Sequence, residues 1–303
     1  MNTEDAMEQR TIGRRDFLIT GGAAAVGGAL ALSTPSFAKL LQQEKSRVVL
    51  VRHIDATDER NSPDKSILAD MLDQAVTELL QARKATDAWS QLIEANDIVG
   101  IKSNVWQHLR TPVMLEDIVR ERVIAVGVPA KRIATDDRGV RSNVAFQNAT
   151  ALINIRPMRI HHWSGLATLI KNYIMFVERP SEYHKDSCAD LASIWKLPNV
   201  AGRTRLNVLV MLTPLFHGSG PHSFNPEFVW RYNGLLVGID PVAVDTTGAR
   251  IIEAKRRDFF GEDRPINPPP KHIQLADTRH GIGTADPRRI ELVKLGWKQG
   301  VLI

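Results

Sequence analysis

The chain has 303 residues, 43% of them hydrophobic and 24% charged, with 39 Lys+Arg against 34 Asp+Glu and one cysteine, Cys188. This is long enough for a large α/β domain, and it excludes a small disulfide-stapled scaffold, an internal disulfide and an iron–sulfur cluster held by the thiolates of one chain. The mild basic excess is scattered, with Lys255-Arg256-Arg257 the longest cluster and no nucleic-acid motif beside it, so no nucleic-acid partner is expected.

Residues 1–38 read as a twin-arginine signal peptide. Arg14-Arg15-Asp16-Phe17-Leu18 precedes an uncharged, Gly- and Ala-rich run from Ile19 to Leu32, and Ser36-Phe37-Ala38 offers small residues for cleavage before Lys39. The run is shorter than the roughly 20 apolar residues that span a bilayer. The expectation is transient contact with the twin-arginine translocase, removal of the leader, no stable membrane span after cleavage, and a periplasmic protein formed by residues 39–303.

Lys39 to Ser46 begins the mature chain, and Arg47 to Val51 is rich in β-branched residues, as buried strands are. From Ser66 to Lys84 apolar residues recur with the helical period at Ile67, Leu68, Met71, Leu72, Ala75, Val76, Leu79 and Leu80. Asp97 to Lys102 predicts a second strand, Pro112 to Val126 a helix capped by Thr111, and Ile133 to Asp136 a third strand. Further strands are predicted at 151–155, 206–212 and 235–239. Asp240-Pro241 opens a helix to about Arg256, and short elements at 273–276 and 290–294 follow a proline-rich break. Alternating strands and helices predict an α/β fold, a mostly parallel sheet with helices on both faces, elaborated by the C-terminal half.

In such sheets ligands bind outside the carboxyl ends of the strands. The predicted exits are polar: Lys102-Ser103-Asn104, Asp136-Asp137-Arg138-Gly139, and Arg156 to His162. Lys102 with Asn104 suits an anionic or phosphate-bearing ligand, with Arg159 and Lys171 as helpers. Asp136-Asp137 reads either as ligand-facing carboxylates or as a solvated turn with an N-cap.

Five of the nine histidines, His161, His162, His184, His217 and His222, share the middle of the chain with Cys188. A transition metal held by His161, His184, Cys188 and His217 is therefore considered alongside solvated or core histidines. Asp240 and Asp245 read first as a helix cap and a carboxylate near its positive end, and second as a ligand pair. No dinucleotide fingerprint, nucleophile elbow or phosphate-binding P-loop is present.

Taken together, Val99-Gly100-Ile101-Lys102-Ser103-Asn104, Thr111-Pro112, Ile153 to His161, Ile170-Lys171-Asn172, Arg205-Leu206-Asn207-Val208, Gly218-Ser219-Gly220-Pro221, Asp240 to Asp245 and Gly281-Ile282-Gly283 resemble the family catalogued as domain of unknown function 362, including its twin-arginine-exported members. Ser103 stands where that family usually has proline, and Arg159 where it commonly has lysine, which excludes a Schiff base at that position. The cysteine-rich ferredoxin-like segments of some relatives are lacking. The resemblance implies a shared polar site of Lys102, Asn104, His161, Lys171, Asn172, Asp240 and Asp245.

The function expected from these readings is an exported protein with a ligand or metal site at the strand ends, whether or not it is an enzyme; as an enzyme it would act on a small anionic substrate with His161, Lys102 and Lys171 as its catalytic groups and Asn104, Asp136, Arg159, Asn172, Asp240 and Asp245 as ligand-binding residues. The alternative is a non-catalytic protein that carries a metal or cofactor to an exported partner enzyme.

Overall fold

The computed structural model describes residues 44–218 and 224–303. The predicted signal peptide, His222 and the end of the Gly218 to Pro221 motif lie outside the described residues.

One mixed sheet of eight strands organises the fold. In chain order the elements are β1 (Ser46–Arg52), α1 (Lys65–Leu79), α2 (Ala85–Leu92), β2 (Val99–Lys102), α3 (Val113–Ala125), β3 (Ile133–Asp136), α4 (Val144–Gln147), β4 (Ala151–His161), β5 (Gly165–Ala167), α5 (Leu169–Asn172), α6 (Lys185–Cys188), β6 (Thr204–Leu215), β7 (Gly234–Gly238), α7 (Pro241–Phe260), α8 (Lys271–Thr278) and β8 (Ile290–Gly296). The strand order is β3-β2-β4-β6-β7-β1-β8, with β5 on the outer end of β4. Neighbours pair in parallel at β2–β3, β2–β4, β4–β6 and β1–β8.

Apart from the short hairpin strand β5, antiparallel to β4, the exception is β7, antiparallel to both β6 and β1. Its physical cause is the connection that precedes it. Residues 216–233 contain no α-helix among the described residues, only a 3-10 turn at Pro226–Phe228, and the chain folds back through a Leu215–Val229 bridge. A parallel return needs a long crossover, usually helical, whereas an antiparallel return needs only a loop.

Apolar residues on alternate positions feed two cores, because successive strand side chains leave opposite faces. Val49, Val51, Val99, Ile101, Ile153 and Ile155 pack against α1, α2 and α3. Val48, Leu50, Leu152, Met158 and Ile160 pack against α7, α8 and the irregular segment after β5. Helices therefore cover both faces, as parallel-rich sheets require.

Several boundaries differ from the sequence expectation. The first helix begins behind an Asp64 cap, whose carboxylate accepts from Ile67 N at 2.9 Å, and stops at Leu79; a left-handed Gln81 separates it from α2. Pro112, not Thr111, flanks α3, because the Thr111 hydroxyl instead accepts from Asn104 N at 3.1 Å. The fourth strand runs through Pro157 to His161. Pro157 is accommodated at a register irregularity against β6, where a missing donor is tolerated. No helix among the described residues is long and apolar enough to cross a membrane.

Candidate functional site

The site lies where β2 stops and its longer neighbour β4 continues. In β2, Val99 and Ile101 face the α1–α3 core, which sends Lys102 to the other face. Parallel register sets Lys102 opposite Asn154 of β4, and Asn154 opposite Asn207 of β6. All three side chains are fully buried, forming a polar row across three strands.

Buried amides require partners, and α5 supplies them. Asn172 Nδ2 donates to Asn154 Oδ1 at 2.8 Å and Ile155 O at 3.1 Å, while Asn154 Nδ2 donates to Leu169 O at 3.2 Å and Asn207 Oδ1 at 3.1 Å. Asp245, buried on α7, accepts from Leu169 N and Ile170 N, each at 2.9 Å. It holds the start of the short helix that carries Lys171 and Asn172 over the sheet. Asp245 is thus a positioning residue.

A tight hairpin joins β4 to β5 through His162, Trp163 and Ser164. Gly165 follows with φ +71°, and a Cβ there would stand 2.2 Å from Pro268 O, so only glycine fits. His161 and His162, expected to diverge as strand neighbours, have stacked rings 4.9 Å apart because the chain leaves the strand between them.

The charges are the defining feature. Lys102 Nζ is ion-paired with Asp137 Oδ1, whose second oxygen accepts from Val105 N at 2.9 Å. Arg156 Nη1 donates to Asn172 Oδ1 at 3.3 Å, and Arg159 Nη1 donates to Asn104 Oδ1 at 3.1 Å while its guanidinium lies 4.4 Å from the Trp106 ring centroid. Lys171 Nζ lies 3.7 Å from Cys188 Sγ, a weak acceptor. Among the described residues neither Arg156, Arg159 nor Lys171 forms an ion pair, and the Nε atoms of Arg156 and Arg159 are buried without a hydrogen-bond partner.

Four buried cations thus meet two buried carboxylates, Asp137 and Asp245. Burial brings Lys102 down to about 8, with Asp137 opposing the shift, and brings Arg156 down to about 10. Burial also lowers Lys171 to about 8, with Cys188 opposing and the two arginines assisting. Arg159 is held well below the usual arginine range by burial and by Arg156. Burial raises Asp245 to about 7 against its backbone hydrogen bonds. Asp137 moves the other way: burial pushes it up, but Lys102 and the Val105 amide outweigh this and hold it down.

His161 is driven far below the imidazole range by burial, then by Lys171, Arg156 and Arg159. It is neutral at physiological pH, with Nδ1 accepting from Trp163 N at 3.2 Å. Proton exchange near neutrality, which a catalytic acid or base at His161 would need, does not fit this environment. Lys171 fits that task better.

Lys102, Asn104, Arg159, Lys171 and Asn172 are gathered as the sequence predicted. Asp136 is not: its carboxylate accepts from Gly139 N at 2.8 Å and Asn143 Nδ2 at 3.2 Å, organising the turn after β3, and the next residue, Asp137, reaches Lys102. Asp240 is also elsewhere. Because β7 runs backwards, its exit lies at the amino ends of β1 and β6, where Asp240 caps α7 through Val242 N and Ala243 N and accepts from Ser46 Oγ and Thr284 N.

The four residues considered for a metal do not converge. His184 packs on Trp163 with ring centroids 4.0 Å apart, Cys188 faces Lys171, and His217 accepts from Arg256 at 3.0 Å. Asp186, Ser187 and Cys188 all have left-handed φ, so His184 and Cys188 do not share a regular helical face. Among the described residues no group of three or more His, Cys, Asp or Glu is placed to hold a metal ion. Sequence reasoning gave no role to Asn154, Asn207 and Trp106, and it named Asp137 and Arg156 in the strand exits without choosing them as site residues. The signal for the two asparagines was present: a lone polar residue inside an apolar strand demands a buried partner.

Fold and site define an α/β protein with a buried, cation-rich cluster of side chains at the strand ends. The sequence profile of the domain of unknown function DUF362 matches residues 68–250, and the chain belongs to that family. Neither the curated proteins nor the solved structures compared with the chain give a match.

Proposed function

We propose that this protein binds a small organic anion, a carboxylate or phosphate ester, at the carboxyl ends of β2 and β4. The observation that carries the proposal is the presence of three buried cations without an ion pair, two of them with unused Nε donors. An unpaired buried charge costs several kcal/mol, and an anion accepting from Arg159 and Lys171 would offset that cost. Arginine supplies the directional donors, and Lys171, lowered to about 8, supplies a group able to exchange a proton with the bound molecule. Lys102 neutralises Asp137 and completes the wall.

The leader features of Arg14-Arg15 and Ser36-Phe37-Ala38 support delivery to the periplasm by the twin-arginine route. Mass measurement of the exported protein tests this: cleavage before Lys39 is expected, and a retained leader would contradict it.

The binding proposal is tested by calorimetric titration with acetate and inorganic phosphate in a low-chloride buffer. Saturable binding of at least one of them is expected, weakened roughly 10- to 100-fold by Arg159→Gln, since a charge-assisted hydrogen bond contributes about 1.5–3 kcal/mol. Absence of saturable binding of both anions by folded protein would refute the proposal.

A further inference from the structure

Beside the cationic cluster is a cavity of about 470 Å³ between the loop after β2, the start of α3 and the outer ends of β4 and β6. Its wall is largely apolar, with Leu109, Val113, Met114, Pro157, Leu212 and Val229 prominent, and the described residues lining it include no aspartate or glutamate. Its size is that of a small-molecule site.

Two chain segments serve both regions. On β4, Pro157 lines the cavity and stands between Arg156 and Arg159. In the loop, Asn104 and Trp106 contact Arg159, whereas Gln107 to Arg110 line the cavity. The loop is closed by reciprocal contacts, Thr111 N to Asn104 O at 2.8 Å and Asn104 N to the Thr111 hydroxyl at 3.1 Å. Val113 and Met114, at the cavity edge, remain 49% and 40% exposed.

We propose that the ligand is an amphipathic anion whose headgroup meets Arg159 and Lys171 and whose apolar body fills this cavity. The proposal rests on the anion-binding reading above and adds the class of molecule. An acidic cavity wall would repel such a ligand, and none is found among the described lining residues. Arg110 on the wall adds a favourable charge. Ligands with only a charged head would leave the apolar wall in water.

The test is calorimetric titration of wild-type protein with straight-chain carboxylates from acetate to octanoate, together with Met114→Asp. Met114 lies in the first turn of α3, where an aspartate favours the helix, so the variant is expected to fold. Affinity should rise up to about fourfold per added methylene, the value that follows from its transfer free energy. Met114→Asp should weaken octanoate at least tenfold and leave acetate within twofold. Acetate binding with no gain along the series, or octanoate binding unaffected by Met114→Asp, would overturn the cavity assignment while leaving the anion site intact. Failure of both acetate and phosphate to bind would instead strike at the anion site itself.

Discussion

Lys171→Met removes one of the buried cations while keeping much of the side-chain volume. In the folded protein Lys171 falls from the usual 10.5 to about 8, chiefly through burial. At ~1.4 kcal/mol per pKa unit, the ammonium therefore destabilises the empty protein by about 3 kcal/mol. Because the folded value lies below the unfolded one, the penalty is complete below about pH 8 and fades as pH rises toward 10.5. Denaturant unfolding should thus find Lys171→Met more stable than wild type by up to about 3 kcal/mol at pH 7, with the advantage shrinking by pH 10. The same substitution should lose anion binding: at a hundred times its dissociation constant, a bound anion adds ~2.7 kcal/mol to wild type, and the variant should gain far less at that concentration. A variant less stable than wild type at pH 7, or a stability difference independent of pH, would refute the assignment of Lys171 as an uncompensated buried cation.

Asp137→Asn should destabilise by about 3–5 kcal/mol, because it strands Lys102 in the interior, and the double variant with Lys102→Met should recover much of the loss; equal losses in single and double variants would contradict the pairing. The His161 ring should stay neutral in NMR titration down to pH 5, so a transition between pH 6 and 7 would show that the cations do not face it. Asp245, raised to about 7, favours the folded state most strongly below its unfolded value, and this contribution declines as pH rises through 7. Asp245→Asn should abolish that component of the stability profile between pH 4 and 7 and weaken acetate binding through the loosened start of α5; an unchanged profile would exclude the shift.

Local pattern and pairing geometry account for what could and could not be read in the sequence. The core strands β1, β2 and β3 and the long helix after Asp240 carry period-2 or capping signals in their own residues, and the structure keeps them within a few positions. The outer half of β4 reads as a loop because Arg156-Pro157-Met158-Arg159 is charged and holds a proline; only pairing with the long β6 makes it a strand. Strand direction is not a local property either. The reversal of β7 follows from the helix-free connection after β6, and it removes Asp240 from a site where its family motif had suggested it.

Within the site, the basic residues were legible because charge in strand exits is conspicuous. Their relation was not. Asp136 and Asp137 are equivalent as letters, and only the turn that places the first on Gly139 and the second on Lys102 separates them. Likewise the neutrality of His161 is set first by burial and then by Lys171, Arg156 and Arg159, which lie up to ten positions away in sequence and converge only when α5 folds over the sheet.

The most direct measurement is a crystal structure of the protein soaked in selenate, located by its anomalous scattering. The predicted result is an anion within hydrogen-bond distance of Arg159 Nε and Lys171 Nζ at the end of β4. Selenate confined to surface arginines, with Arg156, Arg159 and Lys171 paired instead to protein carboxylates, would contradict an anion-binding pocket.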